Sequence, residues 1–326
     1  MRITVLGAGA WGTALARILN ENLHEVALWG HDAAHLDEMR AKGVNERYLP
    51  GIKLPRGLIF EPDFERAIRD AECVVVAVPS KAFREVTRGL LVFKGIVVSV
   101  TKGIECDTGL TMCGVLRTTA PGAALVALSG PTLAMEVACN TPSAIVAAGS
   151  SPTVAQAVQQ LFHRPAFRVY TSADPLGVEL GGALKNVVAI AAGACDGLGF
   201  GDNSKAALVT RGIVEIRRLG LACGAQAETF LGLSGLGDLM VTCFSPLSRN
   251  RAFGERVGKG EKPRTILAST VAVVEGYPTA RSAYQLARKL NVVTPIIDEV
   301  RAVLYEDKHP ANALRDLTNR DSKAED

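Results

Sequence analysis

A glycine-rich segment near the start of the chain constrains its fold more than any other feature. Residues 7–12 read Gly-Ala-Gly-Ala-Trp-Gly, directly after an apolar run at residues 3–6 and at the start of a helical pattern. A strand, a G-x-G-x-x-G turn and a helix in this order are typical of a dinucleotide-binding domain. In such a unit Gly7 makes the tight turn, Gly9 lets the backbone approach a pyrophosphate, and Gly12 lets the helix pack on the strand. The unpaired N–H groups at the helix N-terminus would face the phosphates, so the segment predicts a dinucleotide cofactor.

The first half of the chain alternates short apolar runs with helical patterns. Runs such as residues 74–78 are apolar on both faces, which suits parallel strands covered by helices on both sides. The predicted strands are residues 3–6, 26–29, 73–78, 96–100, 124–128, 144–147 and 167–170, and predicted helices at 13–22, 33–42, 81–91 and 152–162 lie between most of them. This alternation predicts an α/β N-terminal domain, Rossmann-like and doubly wound, at residues 1–174.

The second half of the chain loses the strand patterns after about Asp174. Helical patterns rich in Ala, Leu and Gly take over at residues 175–194, 204–221, 279–289 and 295–304, and the tail from Asn319 is polar. We therefore predict an all-α C-terminal domain at residues 175–326, which would bind the substrate and carry catalytic groups.

Composition argues against several classes of protein. The net charge is only +3 and no long run of Lys or Arg occurs, which argues against a nucleic-acid partner. The seven cysteines are odd in number and form no C-x-x-C pair, which indicates reduced thiols in a cytoplasmic protein. His31 and His35 have no other candidate ligands nearby, so we predict an exposed helix start there and no metal site. Lys185 interrupts the longest apolar stretch, so we predict no membrane span.

The residues that follow the second predicted strand bear on the choice of cofactor. NAD sites often carry an acid there, roughly 20 residues beyond the glycines, that holds the ribose hydroxyls. This chain has Gly30 and His31 at that place, and Asp32 comes later, where it could equally cap the next helix. A glycine and a histidine leave room for a 2′-phosphate, so the sequence favours NADP, with NAD as the alternative.

Lys185 is the sharpest single indication of catalysis. It lies in a long helical pattern of Ala, Gly and Val with few other charges nearby, and Asn186 follows it. Burial lowers the pKa of a lysine from ~10.4 towards the ~7–8 at which a base for alcohol oxidation works best. The alternative is a structural lysine whose side chain reaches the surface past apolar neighbours. The flanking glycines, which let a ligand come close, favour the catalytic interpretation.

Six segments together resemble those of the bacterial NAD(P)-dependent glycerol-3-phosphate dehydrogenase family. They are residues 7–12, 129–134 (SGPTLA), 181–193 (GGALKNVVAIAAG), 235–238 (GLGD), 248–251 (SRNR) and 274–276 (VEG), and their order and spacing match as well. The resemblance covers nearly the whole chain. It implies hydride transfer that interconverts dihydroxyacetone phosphate and sn-glycerol 3-phosphate, the latter supplying glycerophospholipid synthesis. We expect a phosphorylated triose as the substrate. We also expect the chain to form a homodimer.

The resemblance implies roles for individual residues. Lys185 would be the general base for glycerol 3-phosphate oxidation and the general acid for the reverse reaction. Asp238 would pair with Lys185, and Lys102 would help to orient the substrate oxygen. The substrate would be bound by Lys102, Gly130, Thr132, Lys185, Asn186, Asp238, Thr242, Ser248, Arg249 and Asn250, of which Thr242 and residues 248–250 hold the phosphate end. The cofactor would be contacted by Gly7, Gly9, Ala10, Trp11, Gly12, His31, Tyr48, Lys102, Ala134, Arg249, Val273 and Glu275.

Two positions depart from the family pattern. Ala10 stands where the family usually has Ser, so a hydroxyl near the pyrophosphate is lost. Leu133 replaces a usual Phe, which would loosen the wall of the substrate pocket. Neither departure removes a catalytic group.

Arg251 directly follows the predicted phosphate-binding residues. We expect it at the surface or steering the phosphate rather than in catalysis.

Two other interpretations remain open. One is a β-hydroxyacid dehydrogenase of the same architecture, although the polar residues at 248–250 argue against a plain carboxylate substrate. The other is a non-catalytic NADP-binding sensor, against which Lys185 and Asp238 argue. A short-chain dehydrogenase is disfavoured because the chain contains no Y-x-x-x-K.

Overall fold

The computed structural model describes residues 1–270, 273–321 and 324. The strands are β1 (Arg2–Leu6), β2 (Glu25–Trp29), β3 (Val44–Asn45), β4 (Leu49–Lys53), β5 (Ile59–Glu61), β6 (Cys73–Val76), β7 (Ile96–Ser99), β8 (Ala124–Ser129), β9 (Ser143–Gly149) and β10 (Phe167–Ser172). The helices of the first half are α1 (Ala10–Glu21), α2 (Ala33–Lys42), α3 (Phe64–Ile68), α4 (Ser80–Thr87), α5 (Met112–Thr119), α6 (Ala134–Ala138) and α7 (Pro152–Phe162). Those of the second half are α8 (Pro175–Gly197), α9 (Asp202–Ala222), α10 (Asp238–Phe244), α11 (Arg249–Gly258), α12 (Pro263–Ala268), α13 (Gly276–Lys289), α14 (Pro295–Tyr305) and α15 (Pro310–Thr318).

Eight of the strands form one sheet in the order β10-β9-β8-β7-β6-β1-β2-β5. Every neighbouring pair in this sheet is parallel except β8 and β9. The strand order reverses at β1, which has β2 on one side and β6 on the other. In such sheets a ligand binds in the crevice outside the carboxyl ends of the strands at the reversal. The predicted Rossmann-like, doubly wound domain is confirmed.

The strands β9 and β10 run against the rest of the sheet, a feature that the prediction of parallel strands missed. Ser129 at the end of β8 lies opposite Val146, and Val126 lies opposite Gly149. The connection between β8 and β9 contains only the five-residue helix α6, which extends over about 7.5 Å. A six-residue strand such as β8 extends over about 20 Å. The helix is therefore too short to carry the chain back along the sheet for a parallel pairing.

A small second sheet was not predicted. The strands β3 and β4 form an antiparallel hairpin, but β3 has two residues and β4 contains Pro50 and Gly51. Neither strand has the alternating apolar pattern from which strands are predicted. Asn45 holds the hairpin in place, because its side-chain amide donates to the backbone O of Ala8 at 3.0 Å and to Oγ1 of Thr13 at 2.8 Å. The hairpin is thus fixed to the glycine turn.

The helical half of the chain is organised around α8. Residues 177–190 of this helix are all buried, and α9, α10, α11 and α13 pack against it. Among the described residues α8 is the helix long and apolar enough to cross a membrane, but 89% of its apolar window is buried inside the protein. It is therefore the central helix of a protein core, and the predicted all-α C-terminal domain is confirmed.

Candidate active site

Three charged side chains meet where the loops after β7 and β8 approach helices α8 and α10. Lys185 on α8 donates hydrogen bonds to Oδ1 of Asp238 and, at 2.6 Å, to Oγ1 of Thr242. Lys102, which follows β7, donates to Oδ2 of Asp238 at 2.6 Å and to the backbone O of Gly130 at 3.0 Å. One carboxylate therefore lies between two ammonium groups that come from opposite halves of the chain.

The burial of this cluster changes its protonation. Only 7% of the Lys185 side chain and 1% of the Asp238 side chain are exposed. Burial lowers the pKa of Lys185 to about 7, an effect that Asp238 opposes and that the charge of Lys102 reinforces. The alternative in which Lys185 reaches the surface is wrong, because α10 covers the end of its side chain. Lys102 is 18% exposed, so it is the more accessible of the two ammonium groups.

Glycines let α8 approach the neighbouring backbone this closely. A side-chain carbon on Gly181 would lie 2.6 Å from the backbone O of Ser234, and one on Gly182 would lie 2.4 Å from Oγ of Ser129. Ser234 belongs to a π-helical turn, Leu233–Gly237, that leads directly into Asp238. Such turns are frequent at functional sites. Gly181 therefore lets the turn before Asp238 pack closely on α8, and Gly182 makes room for Ser129 and Lys102.

A chain of side-chain amides continues the site from Lys185 towards α11 and α13. Oδ1 of Asn186 accepts a hydrogen bond from Nδ2 of Asn250 at 2.8 Å. Oδ1 of Asn250 in turn accepts from the backbone N of Gly276 at 2.9 Å. An amide nitrogen carries two N–H groups, so Nδ2 of Asn250 keeps one donor for a ligand. The junction fixes the first turns of α11 and α13 beside α8.

Arg249 begins α11 next to this junction. Its side chain is exposed and forms no hydrogen bond or ion pair with the part of the chain that the structure describes. Ser248 caps the same helix, with Oγ accepting from the backbone N of Arg251 at 3.2 Å, and its hydroxyl hydrogen remains available to a ligand. An unpaired guanidinium at a helix N-terminus is well suited to an anion.

Arg251 is less exposed than the sequence suggested. Its side chain is 14% exposed and pairs with Asp196 at 2.6 Å and with Glu255 at 3.1 Å. Its Nε also donates to the backbone O of Ser245 at 3.1 Å. The expected surface position was wrong, because Asp196 at the end of α8 pairs with this arginine and covers its guanidinium. Arg251 instead fastens α11 to α8.

Glycines bring the α11 backbone into direct contact with α8. A side-chain carbon on Gly193 would lie 1.9 Å from the backbone O of Arg251, and one on Gly254 would lie 2.0 Å from that of Ile190. No larger residue fits at either position without moving a helix. This contact sets the position of Arg249 relative to Lys185.

The glycine turn has a shape that fits a pyrophosphate. Gly7 has φ of +121°, and a side-chain carbon there would lie 2.7 Å from the backbone O of Ala77. A side-chain carbon on Gly12 would lie 1.9 Å from the backbone O of Gly7. Gly9, in contrast, has open space beside it and begins α1 without a side-chain cap. The first N–H groups of α1, from Ala10 onwards, are therefore free to receive an anion.

The segment after β8 lies between Lys102 and helix α1. The backbone O of Gly130 accepts from Oγ1 of Thr132 at 3.1 Å as well as from Lys102. Ala134 begins α6, which packs against α1. Ala134 and Trp11 both pack against the core of the first half of the chain.

The other end of the glycine turn holds His31, Asp32 and Tyr48. His31 is exposed, and Oδ1 of Asp32 accepts from the backbone N of His35 at 3.0 Å, so Asp32 caps α2. His35 is only 7% exposed, and its ring meets that of Tyr48 edge-on at a centroid distance of 5.3 Å. The prediction of an exposed helix start was therefore wrong for His35, because Tyr48 covers it. Within the described ranges no three His, Cys, Asp or Glu side chains are grouped as a metal site.

Glu275 ties the helical half to the first half across the crevice. Its two carboxylate oxygens accept from the backbone N of Ser80 at 3.0 Å and from Oγ of Ser80 at 2.5 Å. Burial raises the pKa of Glu275, which the hydrogen bonds from Ser80 and the charge of Arg249 oppose. Ser80 was not predicted as a site residue, because nothing in its sequence neighbourhood shows that α13 lies beside it. Val273 is exposed and borders residues 271–272, which lie outside the described residues.

The chain is similar to proteins of one family along its whole length. Residues 2–155 match the family described as NAD-dependent glycerol-3-phosphate dehydrogenase N-terminus, and residues 174–315 match the corresponding C-terminus. The NAD(P)+ glycerol-3-phosphate dehydrogenase of Geobacter sulfurreducens is 48% identical over 99% of this chain and 98% of its own. That of Desulfotalea psychrophila is 47% identical, with the same coverage of 99% and 98%. The crystal structure of glycerol-3-phosphate dehydrogenase from Coxiella burnetii has a TM-score of 0.94 and 37% identity, covering 98% of this chain and 99% of that one.

Proposed function

The chain belongs to the NAD-dependent glycerol-3-phosphate dehydrogenase family, and from that premise we propose that it interconverts sn-glycerol 3-phosphate and dihydroxyacetone phosphate with NAD(P). One observation carries the proposal. Lys185 and Arg249 each precede one partner of the Asn186–Asn250 hydrogen bond in the sequence, so a buried proton donor and an arginine without a hydrogen bond or ion pair among the described residues flank one amide junction. A phosphorylated ketone requires these two groups together. The glycerol 3-phosphate formed would supply glycerophospholipid synthesis.

Lys185 transfers the proton in this mechanism. When the ketone is reduced, its ammonium donates a proton to the oxygen on C2. When the alcohol is oxidised, its neutral amine accepts the hydroxyl proton, and a pKa of about 7 makes both forms accessible near neutral pH. Bound NAD(P) supplies or accepts the hydride at the same carbon. Asp238 holds the amine in place through the hydrogen bond to Oδ1.

Lys102 has a different task at the same oxygen. Its ammonium is held by Oδ2 of Asp238 and by the backbone O of Gly130, and it remains partly exposed. A fixed positive charge beside the C2 oxygen stabilises the negative charge that develops there during hydride transfer. Thr132, bonded to the same backbone O of Gly130, borders this position. Lys102 therefore orients and polarises the substrate, whereas Lys185 exchanges the proton.

Arg249 and its neighbours bind the substrate phosphate in this proposal. The guanidinium offers a bidentate fork to two phosphate oxygens, and the free N–H of Asn250 and the hydroxyl of Ser248 add neutral donors. Thr242 lies at Nζ of Lys185, so it bounds the reacting end of the substrate rather than the phosphate end. This arrangement favours a phosphorylated triose over the plain carboxylate of a β-hydroxyacid.

The cofactor would lie along the crevice from the adenosine end to the lysines. Gly7, Gly9 and Gly12 would shape the pyrophosphate site with the N–H groups of Ala10 and Trp11. His31 and Tyr48 would border the adenosine, and Ala134, Val273, Glu275, Lys102 and Arg249 the nicotinamide half. We propose NADPH as the preferred cofactor, because Gly30 and His31 follow β2 where an NAD site often carries an acid.

We assign a separate role to each of the two domains. Residues 1–174 would hold the cofactor, and residues 175–326 would supply Lys185 and the phosphate-binding groups.

A homodimer is supported by apolar side chains on the outer face of α10 and the turn before it, where Leu236, Met240 and Phe244 are 37%, 45% and 41% exposed. Light scattering of wild type and a Met240→Lys variant would test it. A reducing compartment, the cytoplasm, is supported by seven cysteines that are all free.

A spectrophotometric assay tests the proposed activity. The purified protein should oxidise NADPH when dihydroxyacetone phosphate is added and should not do so without it. 3-Hydroxyacids with NADP+ serve as the comparison, because they are the substrates of the alternative enzyme class. Turnover of the hydroxyacids with none on the triose phosphate would replace the proposal, and cofactor binding with no turnover of either would indicate a sensor.

A further inference from the structure

The hairpin of β3 and β4 brings one arginine to the adenosine end of the cofactor site. Asn45 is fully buried, and besides its bonds to Ala8 and Thr13 it accepts a hydrogen bond from the backbone N of Tyr48 at 3.2 Å. The tip of the hairpin is therefore held against the glycine turn. Arg47 lies in this tip and, unlike Tyr48, was not among the predicted cofactor residues.

The guanidinium of Arg47 has only weak partners within the protein. Its guanidinium lies 5.1 Å from the centre of the Tyr48 ring. Its closest acidic partner is Asp32, at 3.4 Å between Nη1 and Oδ2, with 49% of the arginine side chain and 42% of the aspartate side chain exposed. A pair this open to water is weak. Most of the five donors of the guanidinium are therefore available to a stronger anion.

Asp32 presents the opposite charge at the same place. It follows β2, and its other oxygen caps α2 through the backbone N of His35. That hydrogen bond lowers the pKa of Asp32, so the group is a carboxylate at neutral pH. In dinucleotide-binding domains an acid near this strand end binds the ribose hydroxyls of NAD, and an arginine nearby accommodates the 2′-phosphate of NADP. This chain has both residues, and they are paired with each other.

We propose that the Asp32–Arg47 ion pair is a selector that lets one site take both cofactors. With a 2′-phosphate present, Arg47 leaves Asp32 and binds the phosphate. The bound guanidinium also screens the negative charge of the phosphate from that of the Asp32 carboxylate. With a free 2′-hydroxyl, Arg47 stays on Asp32, and the carboxylate accepts the ribose hydroxyl. The proposal rests on the proposed dehydrogenase function, whose cofactor site it refines. It makes Arg47 the residue that distinguishes NADPH from NADH.

The test measures binding of two cofactor fragments by calorimetry, without any turnover. The fragments are 2′,5′-ADP, which carries the 2′-phosphate, and 5′-AMP, which does not. Arg47→Gln should weaken 2′,5′-ADP binding about tenfold or more, as expected for loss of a charge-assisted contact, and change 5′-AMP binding less than about twofold. Arg40→Gln is the matched control, because Arg40 is a half-exposed arginine on α2 paired with Asp37. It should leave both affinities unchanged.

A second variant tests the other half of the selector. Asp32→Asn keeps a good helix cap but removes the charge, so 2′,5′-ADP should bind several-fold more tightly. The ratio of kcat/KM for NADPH to that for NADH should move with these affinities, down in Arg47→Gln and up in Asp32→Asn. Equal effects of Arg47→Gln on both fragments, or none on either, would overturn the selector. Dihydroxyacetone phosphate reduction by the wild type would still stand in that case, so failure of the selector is separable from failure of the proposed function.

Discussion

Lys185 and Asp238 form a buried ion pair in which the base comes from the central helix α8 and the acid from the first residue of α10. Because α8 packs against helices α9, α10, α11 and α13 and against the strands β8 and β9, only 7% of the lysine side chain remains exposed. Its position is explained by chemistry at the cleft rather than by stability, since a buried ion pair is weak evidence of stabilisation.

Replacement of Lys185 by Met should abolish turnover and leave cofactor binding intact. The lysine exchanges a proton in the proposed mechanism, and general acid–base groups contribute roughly 10²–10⁴-fold to the rate. The rate of dihydroxyacetone phosphate reduction and the NADPH affinity, from fluorescence titration, should be measured separately. Lys81→Met, at an exposed position on α4, is the control. More than about a tenth of the wild-type rate in Lys185→Met would be incompatible with the acid–base role.

The two directions of the reaction should respond oppositely to pH. The pKa of Lys185 is lowered to about 7, so the ammonium needed for ketone reduction is lost as pH rises through that value. The neutral amine needed for alcohol oxidation is gained over the same range. We therefore expect kcat for reduction to fall, and kcat for oxidation to rise, around neutral pH. Rate profiles in both directions check this, and parallel slopes would contradict it.

Asp238→Asn should shift the pH dependence of kcat to lower pH in both directions of the reaction. The Asp238 carboxylate opposes the effect of burial on the pKa of Lys185, so its removal makes the ammonium easier to deprotonate. The absolute rate should fall as well, because Lys102 also loses its acceptor. The informative quantity is the pH at the midpoint of each rate profile. A midpoint that stays in place while the rate falls would show that another group titrates.

Arg249→Ala should impair reduction of dihydroxyacetone phosphate far more than reduction of dihydroxyacetone. Loss of the charge-assisted contact to the phosphate is expected to cost about 1.5–3 kcal/mol in kcat/KM. Binding energy from a remote phosphate also positions the reacting carbon, so kcat should fall together with the rise in KM. Wild type and variant are compared on both ketones. Equal fractional losses would assign Arg249 to the cofactor or to the fold.

Arg251→Ala is the natural control for that experiment. The guanidinium of Arg251 is bonded to Asp196, Glu255 and Ser245, whereas that of Arg249 has no partner among the described residues. Its removal should lower the melting temperature and affect the two ketones alike. A selective loss on the phosphorylated ketone would show that this arginine also reads the phosphate.

Gly254→Ala should destabilise the protein through one added methyl group. The new carbon would lie 2.0 Å from the backbone O of Ile190, so α11 must move away from α8, at an expected cost of about 1–3 kcal/mol. Gly201→Ala, where the added carbon meets open space, should change the free energy of unfolding by less than about 1 kcal/mol. Chemical denaturation measures both variants. A higher KM for dihydroxyacetone phosphate in Gly254→Ala would show that Arg249 moved with its helix.

The parts of this structure that could be predicted are those determined by neighbouring residues in the sequence. The turn at residues 7–12 needs only its own glycines and the flanking strand and helix. The burial of Lys185 follows from the apolar residues on every side of it in α8. Both features were predicted from short segments, and the family resemblance named their partners.

The parts that could not be predicted depend on contacts between distant segments. His35 is buried because Tyr48 covers it, and Arg251 is mostly buried because it pairs with Asp196 at the end of α8. The antiparallel position of β9 depends on the shortness of α6, and nothing near Ser80 in sequence indicates its bonds to Glu275. Each of these requires the packing of two elements to be known first.

The amide junction of Asn186, Asn250 and Gly276 also bears on how the enzyme acquires activity. Its two hydrogen bonds join residues separated by 64 and 26 positions in the chain. A folding intermediate with all its helices formed but this junction open would have Asn250 and Arg249 out of place for the proposed contact with the substrate phosphate. The regain of activity on refolding should therefore lag behind the regain of the helical circular-dichroism signal. A newly made chain would remain inactive until α11 and α13 had docked on α8.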